Sequence, residues 1–176
     1  MVTAFQTIVS RTISPLEPAV VSVTQFHSGD TLNVIPEQAV IRGTTRAFSE
    51  TVQDQMETEI KRITEEIAKT YNVSASVTYE RRYPATINNP KETDTVAEVA
   101  RKIAGNERVF LDKDPMMGAE DFAFMLNETP GAYMWIGNGP QEGGCMLHNP
   151  NYDFNDEILP IGASYWSELV ETRLAG

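Results

Sequence analysis

The sequence predicts an α+β protein, in which an incomplete βαββαβ layer is followed by an α/β portion. Residues 1–82 show the pattern helix, strand, strand, helix, strand, which is a βαββαβ unit without its first strand. A polar connection with two prolines then occupies 81–90 and indicates a boundary between two lobes, 1–82 and 83–176. After it, short helical and strand patterns alternate to the end of the chain.

The opening segment is predicted to be helical, because its apolar residues recur at helical spacing. These residues are Val2, Phe5, Ile8, Val9 and Ile13. No capping residue or turn precedes them, so we expect the chain to begin inside a longer protein. Runs rich in Val and Thr over 19–26 and 39–48 predict two antiparallel strands on either side of a turn.

A second, longer helix is predicted after Ser49, a residue type that favours helix N-caps. Its apolar positions recur at spacings of three and four, which predicts one buried face. They are Val52, Met56, Ile60, Ile63, Ile67 and Tyr71. Alternating apolar residues over 73–79 predict a third strand.

The second lobe is predicted to contain three helices and two short strands. A possible capping box at Thr95 and Glu98 starts a helix that Gly105 ends. Strands are predicted over 109–111 and 132–136, the latter apolar enough for a buried sheet. A turn at Gly118 opens a short helix, and a final helix includes Tyr165 and Leu169.

Composition excludes several classes of protein. The net charge is −11 and Lys plus Arg total 14, so the basic face that nucleic acid requires is not expected. The sequence contains no run of about eighteen apolar residues and therefore predicts no membrane span. A lone cysteine, Cys145, excludes an internal disulfide framework and fits a reducing cytoplasm, which we take as the predicted location.

The segment Gly118-Ala119-Glu120-Asp121-Phe122, called the 118–122 motif below, is the first candidate for chemistry. Its two carboxylates could act as acid, base or metal ligand. Acidic residues at a helix start also simply favour the positive end of the helix dipole, and for at least one of them we prefer this interpretation. The Gly118 and Ala119 amides at the same helix start could hold a substrate carboxylate.

Histidine and arginine supply the other candidates. His148 follows a glycine-rich loop at the end of a predicted strand, where α/β proteins bind ligands, although most loop histidines are only hydrogen-bonded surface groups. One Cys and one His make no zinc signature, which argues against Cys145 as a co-ligand. Arg46 could bind a carboxylate with two parallel hydrogen bonds or form an edge ion pair. Asn33 could be only a turn former and His27 a strand-end polar group.

Five short motifs, taken together in their order and spacing, resemble the carboxy-terminal part of the M20 metallopeptidase and amidohydrolase family. The closest resemblance is to its hippurate hydrolase and N-acyl-amino-acid amidohydrolase branch. The motifs are Gln6-Thr7-Ile8-Val9-Ser10-Arg11, Asn33-Val34-Ile35-Pro36, Gly43-Thr44-Thr45-Arg46, the 118–122 motif and Leu147-His148-Asn149-Pro150.

The resemblance implies a hydrolase that uses two divalent metals, zinc or manganese among them, to cleave the amide bond of N-acyl amino acids. Residues 1–82 would be most of a ferredoxin-like lid through which the protein forms a homodimer, and 83–176 the C-terminal portion of a zinc-peptidase-like catalytic domain. His148 would be a metal ligand. Asn33, Arg46, Gly118 and Ala119 would contact the substrate.

The family's general base and its other metal ligands belong to an upstream segment that this sequence does not contain. The resemblance therefore implies no catalytic base in this chain, and we expect the chain to be inactive by itself. A stand-alone α+β module for dimerisation or for binding a small anion, without catalysis, is the alternative. A natural module of this kind should show a helix start signal and a complete sheet.

Overall fold

The computed structural model describes residues 1–139 and 146–174. They form five α-helices, a two-stranded sheet and three short turns of other helical types. The α-helices are α1 (Val2–Thr7), α2 (Glu50–Thr70), α3 (Pro90–Ala104), α4 (Phe122–Glu128) and α5 (Leu159–Leu174). The strands are β1 (Ala19–Ser28) and β2 (Ala39–Ala47). A π-helical turn follows α1 at Ile8–Thr12, and 3-10 turns occupy Asn106–Arg108 and Asp156–Ile158.

The chain divides into two compact units. The first contains Met1–Ala85 together with Met117–Ala119, and the second contains Thr86–Met116 and Glu120–Gly176. No helix in the part of the chain that the structure describes is long and apolar enough to cross a membrane.

The first unit has a closed hydrophobic core between its helices and its sheet. β1 and β2 pair antiparallel as predicted, with Val20 opposite Arg46 and a bulge between Val23 and Gln25. Ser49 caps α2 as predicted, because its hydroxyl accepts the Val52 N–H at 3.2 Å. The buried side chains come from α1, the π-helical turn, β1 and α2 and include Phe5, Ile8, Val21, Val52, Met56 and Ile63.

The predicted third strand over 73–79 does not form in the structure. These residues have no regular secondary structure, and only Val77 and Tyr79 are partly covered. The alternating pattern records a preference for extended backbone, but a strand also needs a hydrogen-bonded neighbour, which this segment lacks among the described residues. The Tyr79 hydroxyl lies 2.6 Å from the hydroxyl of Thr45 in β2.

The second unit has helices but no strands among its described residues. The segments 109–111 and 132–136, predicted as strands, are extended without a ladder, and Trp135 and Ile136 are exposed rather than buried in a sheet. α3 and α5 are joined by ion pairs between Lys102 and Glu168 and between Arg173 and Glu92.

The start of α3 was predicted six residues too late. The helix begins at Pro90, and the Asn89 side chain accepts the Lys91 and Glu92 N–H groups. Thr95 lies inside the helix, where its hydroxyl donates to the Lys91 carbonyl. Asparagine before proline is the stronger start signal, since Asn caps well and Pro at the first helical position sacrifices no hydrogen bond.

Candidate functional site

Arg46 joins two segments that the sequence singled out independently. Its Nη1 donates to the Met117 carbonyl oxygen at 2.7 Å, across 71 positions of the chain. The side chain is exposed, and no acidic residue of the described chain forms an ion pair with it. The guanidinium therefore has one backbone partner and further N–H donors that face no carboxylate of the described residues. The edge ion pair considered from the sequence is not observed.

Gly118 and Ala119 are exposed, and a side chain added at Gly118 would meet nothing within 4 Å. Their amides make no backbone hydrogen bond within the described residues. α4 begins only at Phe122, so these amides do not belong to its first turn, contrary to the prediction. Exposed backbone amides outside the helix, and not the helix dipole, would therefore bind any anion at Gly118 and Ala119.

The two carboxylates of the 118–122 motif have different surroundings. Asp121 is the N-cap of α4, but its side chain accepts no backbone N–H. Its carboxylate therefore favours the helix only through its place at the N-terminal end. Glu120 is half-buried, and its carboxylate interacts with the Tyr133 phenol. Burial, and then this interaction, raise the pKa of Tyr133 above its ordinary value. No local pattern predicts Tyr133 as a partner of Glu120.

Asn33 lies in the exposed loop between β1 and β2. That loop joins Ser28 to Ala39, whereas Arg46 pairs with Val20 near the other end of the hairpin. The seven residue steps from Ala39 to Arg46 span about 23 Å at the usual strand rise. The two predicted substrate-binding side chains of the first unit therefore lie on opposite ends of one hairpin.

His148 is exposed at the third position of a tight turn, in which the Asn149 N–H donates to the Met146 carbonyl at 3.1 Å. Its φ of 69° is one of two positive values among the described non-glycine residues. Such conformations are uncommon, although histidine tolerates them better than most residues, and they cluster at functional sites.

No group of three or more His, Cys, Asp or Glu side chains in residues 1–139 and 146–174 is placed to hold a metal ion. His148 supplies a single imidazole, which is too little for a two-metal centre. His27 is exposed on β1 opposite Val40. Cys145, discounted as a co-ligand from the sequence, lies outside the described residues. The described residues therefore do not form a metal site by themselves.

Comparison with known proteins places this geometry in context. The family model for Peptidase family M20/M25/M40 matches residues 5–172. The YhaA protein of Bacillus subtilis strain 168, named as an amidohydrolase, is 36% identical over 165 residues, which are 93% of this chain and 41% of YhaA. A hippurate hydrolase of Campylobacter jejuni is 33% identical over 169 residues, covering 96% of this chain and 43% of that enzyme.

A solved structure supports the same relationship. The Bacillus subtilis YXEP protein, described as a dinuclear metal binding peptidase from the M20 family, matches with a TM-score of 0.75 and 28% sequence identity. The match covers 99% of this chain and 46% of that protein. The chain thus spans about two fifths of the length of the curated relatives named above. From the family match and these relatives we conclude that the chain belongs to the peptidase family M20/M25/M40.

Proposed function

We propose that this chain forms the substrate-binding part of a metal-dependent amidohydrolase that cleaves the amide bond of N-acyl amino acids. The observation that best supports this function is the hydrogen bond from Arg46 to the Met117 carbonyl. It brings the guanidinium, which has no carboxylate partner among the described residues, next to the open backbone at Gly118. An N-acyl amino acid has a free α-carboxylate, the group that these donors would recognise.

The chemistry of the two segments is complementary. A guanidinium can bind a carboxylate with two parallel N–H donors, and Arg46 has donors available after its bond to Met117. The Gly118 and Ala119 amides add donors without a charge of their own. The relatives YhaA and hippurate hydrolase are named for amide-cleaving activities, which supports an acylated amino acid as the substrate class.

The proposal includes two divalent metals per complete active site, because the related YXEP structure is described as dinuclear. His148 would supply one ligand, and its positive φ is the local observation that supports a special role. The other ligands and the general base would come from a part of the protein outside this chain. The 176-residue chain would then be inactive by itself.

We further propose that residues 1–82 act as a ferredoxin-like lid that forms a homodimer. The position of Asn33 supports this, because its loop and Arg46 occupy opposite ends of the β1–β2 hairpin. One hairpin could then contribute Arg46 to one active site and Asn33 to the site of a second copy.

The test uses the protein extended upstream to the full length of its relatives, with N-benzoylglycine as substrate. Because Arg46 would bind the carboxylate in ground and transition states alike, Arg46→Ala should raise KM by about 10- to 100-fold and change kcat less. Arg46→Lys should restore only part of the loss, since an ammonium cannot form the paired contact.

Arg42→Ala is the matched control, because Arg42 is an exposed arginine on the same strand that contacts only Gln25, at 3.4 Å. It should leave KM within about twofold of the parent. Equal effects of Arg42→Ala and Arg46→Ala would refute a specific carboxylate contact. An extended protein that binds N-benzoylglycine through Arg46 without hydrolysing it would favour the non-catalytic anion-binding module.

A further inference from the structure

Two adjacent asparagines at the start of α3 have separate structural roles. Asn89 caps the helix, as described above. Asn88 instead forms two hydrogen bonds to a single residue 45 positions away, donating from Nδ2 to the Tyr133 carbonyl at 2.9 Å and accepting the Tyr133 N–H on Oδ1 at 2.8 Å. The Asn89 N–H adds a third bond, to the Gly131 carbonyl at 2.9 Å.

The Asn88 side chain therefore occupies the place of a neighbouring strand. In an antiparallel pair, one residue exchanges an N–H and a C=O with the residue opposite, and the carboxamide reproduces this exchange at Tyr133. The segment 132–136 has no hydrogen-bonded strand beside it among the described residues. Both residues are half-buried, so the paired bonds are partly shielded from water.

Tyr133 in turn contacts the 118–122 motif. Its ring centroid lies 5.8 Å from that of Phe122 at an interplanar angle of 36°. Its phenol interacts with the Glu120 carboxylate. On the other side it meets Trp135 edge-on at 6.4 Å. A continuous set of contacts thus runs from the Asn88 carboxamide through Tyr133 to Glu120 and Phe122.

We propose that Asn88 is a positioning residue for the 118–122 motif and acts through Tyr133. It fixes the backbone of Tyr133, whose ring and hydroxyl then hold Phe122 and Glu120. Gly118 and Ala119 directly precede Glu120, so a change in the position of Glu120 is passed to their amides through the backbone. The effect on substrate binding rests on the function proposed above, whereas the effect on the motif's conformation does not.

The first experiment measures amide chemical shifts and hydrogen exchange by NMR on the 176-residue chain. Asn88→Ala should abolish exchange protection of the Tyr133 amide and shift the resonances of residues 118–122. Asn88→Asp keeps the acceptor for that amide and should retain part of the protection. Tyr133→Phe should shift the Glu120 resonance, because only the hydroxyl is lost, while protection of the residue 133 amide persists.

Asn127→Ala is the matched control, because Asn127 lines the same cavity as Asn88, is exposed and forms no side-chain hydrogen bond within the described residues. It should leave the motif's resonances unchanged. The proposal is overturned if Asn88→Ala releases the Tyr133 amide but leaves the resonances of 118–122 in place, or if Asn127→Ala shifts them equally.

A kinetic experiment on the extended protein tests the consequence for binding. Asn88→Ala and Tyr133→Phe should each raise KM for N-benzoylglycine by about tenfold, with kcat changed less. A merely structural role would lower the amount of folded enzyme, and so kcat, without a change in KM. If the extended parent does not hydrolyse the substrate, the proposed function fails, while the NMR result still decides whether Asn88 positions the motif.

Discussion

The two units of the chain are stabilised in different ways. The first unit buries a contiguous set of large apolar side chains between α1, α2 and the β1–β2 sheet, with Ile8 and Met56 fully inaccessible. The second unit buries mainly Ala97, Val99, Ala123 and Tyr165. Its extended segments are held by asparagine side chains, at Asn88 and at Asn138 with Asn155. The first unit thus depends on packing and the second on side-chain amides.

The second unit also exposes many large apolar side chains. Those at half exposure or more include Phe110, Met125, Trp135, Leu147, Leu159, Trp166 and Leu174. Where exposed apolar side chains adjoin one another, they usually mark a contact with another part of a protein. The first unit exposes a comparable set, among them Leu16, Leu32, Ile35 and Tyr71. The units therefore differ in how their cores are stabilised and not in how much apolar surface they offer.

The largest expected effect is in the first unit. Met56→Ala should lower its free energy of unfolding by about 3 kcal/mol, because Met56 is fully buried and the shortened side chain leaves a cavity. Far-UV circular dichroism in urea reports this unit, whose α2 is the longest helix described. The control Met125→Ala removes a side chain that is 61% exposed and should stay within about 0.5 kcal/mol. Equal effects would contradict a closed first core.

The amide-dependent character of the second unit is tested at Asn155. Its Nδ2 donates to the Asn138 carbonyl at 3.0 Å and its Oδ1 accepts the Glu157 N–H at 3.1 Å. Asn155→Ala should cost about 1–2 kcal/mol, because partly buried backbone groups lose their partners. Fluorescence of Trp135 and Trp166, both in this unit, follows the transition. The control Asn151→Ala replaces an exposed asparagine and should change the unfolding transition little. A similar loss of stability in both variants would argue against a stabilising role for the Asn155 side-chain amide.

A smaller effect is expected at the start of α2. Ser49→Ala should destabilise the first unit by about 1 kcal/mol, since the Val52 N–H loses its hydroxyl acceptor. Ser76→Ala, at an exposed serine outside any helix, is the matched control and should be neutral. Urea midpoints from circular dichroism provide the measurement. An unchanged midpoint in Ser49→Ala would show that the cap contributes nothing.

The smallest effect concerns ion pairs on α2. Hydrogen bonds from Lys61 and then Arg81 lower the pKa of Glu57 below its ordinary value of 4.5. A lowered pKa in the folded state means that the stabilisation is present above pH 4.5 and lost as pH falls through the folded value. Glu57→Gln should therefore be slightly less stable than the parent at pH 7, and the difference should shrink as pH falls below 4.5 through the folded pKa.

Glu65→Gln is the control for this pH dependence, because Glu65 is exposed on the same helix and has no ion-pair partner in the described chain. Its thermal midpoint should follow that of the parent at each pH. A gap between Glu57→Gln and the parent that stays constant as pH falls through this range would show that charge is not its origin. Because Lys61 and Arg81 are exposed and Glu57 is only partly covered, the effect should also shrink with added salt.

The sequence predicted the elements whose signals are local. The helical spacing of α1, α2 and α5, the Ser49 cap and the antiparallel β1–β2 pair are all confirmed. The strands over 73–79, 109–111 and 132–136 were wrong, because a strand depends on a neighbour that may lie far away in the sequence or outside the chain.

The candidate site was less predictable for the same reason. Residue types identified Arg46 and the 118–122 motif as candidates, but neither spacing nor composition could show that Arg46 bonds to Met117. Asn88 was read only as part of a polar connection, since nothing local indicates a partner 45 positions away. The Asn89-Pro90 pair is a local signal for the helix start and is stronger than the Thr95–Glu98 capping box.

We propose that this chain contributes substrate contacts and one metal ligand to an amidohydrolase site completed by residues outside it. The most direct test combines elemental metal analysis with N-benzoylglycine hydrolysis, on this chain and on the protein extended to its relatives' length. The account predicts about two metals and turnover in the extended protein only, and loss of metal in its His148→Asn variant but not in His27→Asn. Two bound metals and turnover in the 176-residue chain alone would contradict it.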